Sequence, residues 1–103
     1  MFEAVVSQEG TVRHIGLKGE FDLEGFPAVA ELFREAFSNG SSAVEVDLRG
    51  LTFLDSSGIR SLIMAVRDGR AAGVSLTIIP GPPQVQRVFA TAGLLDELPF
   101  AEG

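Results

Sequence analysis

Residues 51–58 read LTFLDSSG, and the rest of the fold can be built outward from this stretch. A mostly apolar, strand-like run stops at an acid, two adjacent serines and a glycine. After it, apolar residues recur at helical spacing, at Ile59, Leu62, Ile63 and Val66. They predict one buried face of an amphipathic helix of about fourteen residues that ends near residues 69–73. Before it, AVEVDL at 43–48 alternates apolar and acidic residues as a strand does. The stretch therefore predicts a junction between a strand and a helix.

The remaining segments continue this alternation. Two strands, FEAVVS at 2–7 and TVRHIGL at 11–17, read as a hairpin. A loop GEFDLEG leads to a helix that begins at Pro27 and ends at Asn39-Gly40, and its apolar residues fall on one face. A fourth strand, VSLTII at 74–79, and the turn PGPP at 80–83 precede a third helix that stops at Gly93. The predicted order is β-β-α-β-α-β-α.

This order predicts an α/β fold in a single domain, residues 1–103, with a four-stranded mixed sheet. The N-terminal hairpin is antiparallel, strands two to four are parallel, and the helices lie mainly on one face. In parallel βα units the loops after the strands gather at the carboxyl edge of the sheet, where open α/β sheets place their sites. We therefore expect Asp22, Asp55, Ser56 and Ser57 to be neighbours.

Composition narrows the class of protein. The 103 residues contain no cysteine, which excludes disulfides and thiolate metal sites and favours a reducing compartment. A net charge of −6, with eight basic residues spread along the chain, disfavours nucleic acid as a partner. The N-terminus lacks a signal-peptide pattern, and the apolar runs are too short to span a bilayer. We expect a cytoplasmic protein without membrane insertion whose partners are proteins.

The DSSG motif at 55–58 has two interpretations. Asp and Ser are preferred N-cap residues, so the motif could simply begin a helix, with Gly58 allowing a sharp turn. A helix N-terminus also tolerates an added anion well, so a serine there could accept phosphate without unfolding the helix. Such a phosphate would place nearly two negative charges at any interface formed over that edge.

Catalytic and metal-dependent functions find little support in the sequence. The motif is not G-x-S-x-G, and the only histidine, His14, lies in a predicted strand without triad spacing. Asp22, Asp47 and Asp55 could converge on a hard cation, but alternation predicts that Asp47 points outward. We therefore expect no enzyme activity, no cofactor and no metal.

Three segments resemble a known family. GEFD at 19–22, VDLRGLTFLDSSGIRSLI at 46–63 and GVSLTIIPGPPQVQRVFATAGLLDEL at 73–98 are together similar to a STAS domain, and more narrowly to the bacterial anti-sigma factor antagonists. Within the third segment a looser version of a family pattern is matched by Val85, Arg87, Phe89, Gly93, Leu94 and Leu95.

The resemblance implies a mechanism. Ser56 would be the phosphate acceptor for an anti-sigma factor that is also a serine kinase. The unphosphorylated protein would bind that partner and free the sigma factor, and a metal-dependent serine phosphatase would reset the switch. The resemblance assigns motif or partner-binding roles to Asp22, Asp55, Ser57, Gly58, Ile59 and Arg60.

Two alternatives remain open. Arg60, four residues after Ser56, could hold the phosphate, although an ordinary exposed arginine is the simpler interpretation. The chain could also be a STAS interaction subunit that is never phosphorylated, for instance in an ABC-type transport complex for lipid trafficking. In that case the same edge would be a permanent docking surface.

Overall fold

A computed structural model describes residues 1–102, and the last residue of the predicted domain, Gly103, lies outside the described part. The elements are β1 (Phe2–Glu9), β2 (Val12–Phe21), a short 3-10 turn (Leu23–Gly25), α1 (Phe26–Ser38), β3 (Ala43–Leu54), α2 (Ser56–Ala71), β4 (Ser75–Ile79) and α3 (Pro83–Thr91). The predicted order of strands and helices is confirmed.

The four strands form one mixed sheet in the order β1-β2-β3-β4. β1 and β2 are antiparallel, and their hairpin turns at Gly10, whose φ of +60° is the left-handed conformation that glycine tolerates best. β3 runs parallel to β2, and β4 runs parallel to β3. The predicted mixed sheet with an N-terminal hairpin is therefore confirmed.

The hydrophobic core lies on one face of this sheet. Along β3, Val44, Val46 and Leu48 are buried, whereas Glu45 and Asp47 on the opposite face are partly exposed. The three helices cover the buried face and contribute Val29, Phe33, Leu62, Val85 and Phe89, among others, to the same cluster of buried residues. No helix within residues 1–102 is both long enough and apolar enough to cross a membrane.

β3 is longer than the sequence suggested. It was expected to cover residues 43–48, but it continues to Leu54. The buried positions change from a spacing of two residues, up to Leu48, to a spacing of three at Leu51 and Leu54. The β2–β3 register shifts twice along this stretch, between Gly16 and Lys18 and again after Gly19. Such bulges disturb the alternation by which a strand is recognised.

The inner face of α2 also differs from expectation. Apolar spacing predicted that Ile63 packs inward, but its side chain is 42% exposed. The buried face instead consists mostly of small residues: Gly58, Ser61, Leu62, Ala65, Val66 and Gly69. Small side chains let a helix approach its neighbours closely, and a pattern search for large apolar residues does not register them.

Candidate functional site

The site lies at the carboxyl edge of the sheet, where β2 and β3 end together. Phe21 and Leu54 are paired across the two strands, and the Asp55 amide donates a hydrogen bond to the Phe21 carbonyl at 3.3 Å. Asp22 and Asp55 therefore start adjacent connections, as the topology predicted. Their side chains have separate structural roles, however. Asp22 accepts a hydrogen bond from the Glu24 amide at 3.1 Å, within its own 3-10 turn.

Asp55 is the N-cap of α2. Its backbone is extended, with φ −110° and ψ −171°, and its carboxylate accepts hydrogen bonds from the amides of Ser57 at 2.9 Å and Gly58 at 3.3 Å. These amides are among the first-turn donors that a helix leaves unpaired. Of the three candidate capping residues, the acid takes the role. Neither serine hydroxyl is needed to begin the helix.

The three residues after the cap differ sharply in exposure. Ser56, the first residue of α2, is exposed, Ser57 is half-buried and Gly58 is buried. A Cβ built at Gly58 would lie 2.8 Å from Leu54 Cδ1 and 3.2 Å from Phe21 Cδ2. The glycine thus lets the start of α2 pack directly on the ends of β2 and β3, and this contact leaves the Ser56 side chain on the surface.

Ser56 stands at one end of a largely apolar groove of about 430 Å³ between α2 and α3. Ile59 contributes from α2, and the α3 side is formed by Gln84, Arg87, Val88, Thr91 and Ala92. Nothing in the sequence pattern predicted a role in the site for Gln84, Val88, Thr91 and Ala92. Their spacing along α3 could have indicated a common face, but nothing local shows which helix that face meets.

Charge is unevenly arranged around this edge. Arg87 lines the groove and Arg60 follows Ser56 on α2; both are exposed, and within residues 1–102 neither forms an ion pair. Asp22 instead lines a separate, polar depression of about 320 Å³ with Glu20 and Glu24. The negative net charge of the chain is therefore not concentrated in the groove beside Ser56.

The remaining candidates for chemistry lie away from Ser56. His14 Nδ1 is 2.9 Å from Glu45 Oε1, near the amino ends of β2 and β3, at the opposite end of the sheet. Asp47 is bound by Arg49 at 2.8 Å, and this hydrogen bond lowers the pKa of the Asp47 carboxyl. Residues 1–102 contain no group of three or more His, Asp or Glu side chains that could hold a metal ion.

A four-stranded mixed sheet, three helices on one face and a capped strand-to-helix junction define a class of small α/β domains. The family described as "Mlab, STAS domain" matches residues 4–99. The chain belongs to the STAS domain family, which confirms the family predicted from the sequence. No curated protein matches the chain.

Solved structures share the whole fold. An anti-sigma factor antagonist from Mycobacterium paratuberculosis superposes with a TM-score of 0.87 at 20% identity, covering 100% of this chain and 87% of that one. The anti-sigma factor antagonist SpoIIAA in its unphosphorylated form gives 0.81 at 22% identity, covering 97% and 89%. The phosphorylated form of the Bacillus cell fate determinant SpoIIAA gives 0.74 at 20% identity, covering 97% and 92%. At these identities the likeness establishes the fold.

Proposed function

We propose that this chain is an anti-sigma factor antagonist that is switched by phosphorylation of Ser56. Its unphosphorylated form binds an anti-sigma factor with serine kinase activity and releases a sigma factor. Phosphate on Ser56 ends the binding, and a metal-dependent serine phosphatase restores it. The chain itself is a cytoplasmic binding protein and not an enzyme.

One observation carries the proposal: Ser56 is exposed at the start of α2 and borders an apolar groove, while Asp55 alone caps the helix. A phosphate at this position leaves the cap intact and meets the partial positive charge of the helix N-terminus. The same phosphate stands on the wall of the groove. A partner packed there would have to bury a hydrated dianion, which is costly.

The other predicted residues have distinct parts in this proposal. Asp55 and Gly58 hold α2 in place, and Ile59 supplies apolar contact with the partner. Arg60 and Arg87 are free to interact with the phosphate once it is present. The similarity to SpoIIAA, a protein whose structure is known in unphosphorylated and phosphorylated forms, supports this assignment.

Phosphopeptide mass spectrometry of the protein isolated from its own cells, in growth and under stress, tests the switch. We expect phosphate on Ser56 at an occupancy that changes with condition. With the purified anti-sigma factor, Ser56→Ala should bind like the unphosphorylated protein and Ser56→Asp at least about tenfold more weakly. Ser75→Ala, at an exposed position at the start of β4 and outside the groove, is the matched control and should keep the affinity. Equal affinity of Ser56→Ala and Ser56→Asp would contradict the proposal.

A second candidate function is favoured by the description of the matching family, "Mlab, STAS domain", and by the apolar character of the groove. In this alternative the chain is a permanent interaction subunit of an ABC-type lipid-trafficking complex and is never phosphorylated. It then co-purifies stoichiometrically with a transport ATPase, carries no phosphate in any condition, and holds its partner through a larger apolar interface. Mass spectrometry of the isolated complex separates the two functions.

A further inference from the structure

A second concave site lies between α1 and α2. Its volume is about 370 Å³, within the range of small-molecule sites. α1 contributes Phe26, Ala30, Phe33 and Phe37, and α2 contributes Ser61, Met64 and Ala65, among others. None of these residues lines the groove beside Ser56. The space exists because small side chains, Ala30 on one helix and Ser61 and Ala65 on the other, face each other where larger ones would fill it.

The walls of this cavity are aromatic and apolar. Phe33 and Phe37 stack with ring centroids 5.9 Å apart, and Phe33 is buried. Phe26 and Met64 are only partly buried and border the open side. Aromatic walls favour a flat aromatic guest, because ring edges and faces of opposite partial charge then meet. A flexible methionine can adjust to the guest's shape.

Two serine hydroxyls line this cavity, and they differ in their partners. Ser38 Oγ donates to the Arg34 carbonyl at 3.0 Å and to the Glu35 carbonyl at 3.2 Å, whereas Ser61 is buried and has no such bond. Its residue is 4% exposed, and no side-chain hydrogen bond within residues 1–102 involves its hydroxyl. No fully buried side-chain oxygen in the described part of the chain lacks a partner, so the Ser61 hydroxyl reaches the open space that the residue lines. A hydroxyl can donate or accept, and an unpaired one favours a ligand with a complementary group.

The charged residues at the mouth are already neutralised. Arg34 is hydrogen-bonded to Glu31 on the same helix, and Asp68 accepts a hydrogen bond from Arg67 at 3.2 Å. A charged ligand would have to break one of these pairs or sit unpaired against an apolar wall. The mouth therefore favours an uncharged ligand.

We propose that the cavity between α1 and α2 binds a small, uncharged aromatic molecule that carries one hydroxyl or carbonyl group, with Ser61 as the hydrogen-bonding residue. A cavity of about 370 Å³ lies near the lower end of the range for small-molecule sites, which favours a ligand of one or two rings. This binding site does not depend on phosphorylation of Ser56, and its test is independent of the proposed function.

Titration of the full chain with 1-naphthol, followed by ¹H–¹⁵N NMR, tests the site. Naphthalene, which has the same rings without the hydroxyl, is the matched ligand. We expect saturable shifts of amides on the facing sides of α1 and α2 and a dissociation constant on the order of 0.1–1 mM for 1-naphthol. Shifts that do not saturate, or that fall on the α2–α3 groove, would overturn the proposal.

Two variants distinguish the effect of filling the cavity from the effect of removing the Ser61 hydroxyl. Ala30→Phe occupies the cavity from an exposed position and should weaken 1-naphthol at least about tenfold, whereas Ala28→Phe on the same helix lies outside the cavity and should not. Ser61→Ala should weaken 1-naphthol about fivefold and leave naphthalene unchanged, and it provides the test should Ala30→Phe disturb α1. Equal weakening of both ligands by Ser61→Ala would overturn the role of the hydroxyl. Self-association that covers α1 and α2 without ligand would overturn the site.

Discussion

The carboxylate of Asp55 accepts a hydrogen bond from the Ser57 amide at 2.9 Å, and with the second bond from the Gly58 amide at 3.3 Å it caps the start of α2. It places the cap one residue before Ser56 and leaves the Ser56 side chain without a structural task. Because Asp55 caps α2 and the Ser56 side chain does not, phosphorylation of Ser56 is compatible with the fold. Several measurable consequences depend on it.

Removal of the cap should destabilise the protein without affecting Ser56 directly. Asp55→Ala is expected to lower the free energy of unfolding by about 0.5–2 kcal/mol, because two amides of α2 lose their acceptor. Asp55→Asn keeps a capping oxygen and should lower the free energy of unfolding by only a few tenths of a kcal/mol. Urea unfolding measures both. Asp96→Ala, at an exposed position, is the control, and a loss there as large as for Asp55→Ala would contradict the assignment.

Gly58→Ala should also destabilise, although alanine is the better helix former. The new Cβ would lie 2.8 Å from Leu54 Cδ1, and we expect a net loss of about 1–3 kcal/mol from overpacking. Gly69→Ala on the same helix is the matched control. Its Cβ would lie 3.3 Å from the ring of the partly exposed Phe37, which can move slightly, and at an ordinary contact distance of 3.5 Å from the Val74 carbonyl oxygen. The variant should therefore be neutral or stabilising by up to about 1 kcal/mol. Thermal or urea unfolding that ranked the two variants the other way would refute this account.

The junction between β3 and α2 shows which features of the fold could be predicted from the sequence and which could not. Alternation predicted the first half of β3, and the Asp-Ser-Ser-Gly run predicted the start of α2. The strand-like run at 51–54 was not recognised as the continuation of the strand at 43–48, because bulges change the spacing of the buried residues from two to three. The inward position of Ile63 was predicted wrongly because α2 packs through Gly58, Ser61 and Ala65, which carry no hydrophobic signal of their own.

The candidate site was predictable to a similar degree. Local chemistry pointed to Asp55 and Ser56, and topology brought Asp22 to the same edge. The contribution of Gln84 and Val88 depends on how α3 docks beside α2, which is decided by packing between segments distant in sequence. The same holds for the cavity that contains Ser61, because its other wall comes from α1.

Phosphate on Ser56 should be held by the nearby cations. In protein that carries phosphoserine at this position, we expect the second phosphate pKa to lie below its ordinary value of about 6, since Arg60, Arg87 and the helix N-terminus favour the dianion. Arg60→Gln or Arg87→Gln should raise this pKa, because each variant removes one exposed ion pair to the phosphate. Such a pair contributes about 0.2–1 kcal/mol. Phosphorus NMR follows the titration. Arg70→Gln, in the last turn of α2, should leave it unchanged.

A charge placed in the groove should imitate the phosphate. Thr91→Glu introduces a carboxylate on the α3 side of the groove and is expected to weaken binding of the anti-sigma factor at least about tenfold. Ala90→Glu, at the neighbouring exposed position outside the groove, adds the same charge and should bind normally. Calorimetric titration of both variants gives the comparison. Equal loss would mean that net charge, and not the groove, decides the affinity.

The ion pair between Asp47 and Arg49 should make the stability of the folded protein depend on pH. The hydrogen bond from Arg49 lowers the pKa of Asp47 from 3.8, so the pair stabilises the folded state at neutral pH and ceases to do so as the pH falls through the lowered pKa. Arg49→Gln should raise this pKa toward 3.8 and destabilise the protein more at pH 7 than near pH 2. Carboxyl NMR and urea unfolding at both pH values test the sign. In an Asp47→Asn background the effect of Arg49→Gln should depend much less on pH, because only the weaker attraction between Arg49 and Glu45 remains.

The spatial order of the strands, β1-β2-β3-β4, is also their order of synthesis. Each new strand therefore joins the strand made just before it, and none has to be inserted between two that are already paired. The hairpin can form first, and the sheet then grows by addition at one edge, with each crossover spanning about twenty residues that include one helix. β3 is the last strand to emerge before Ser56, so Ser56 and the rest of α2 follow three strands that can already form a sheet for the helix to pack on.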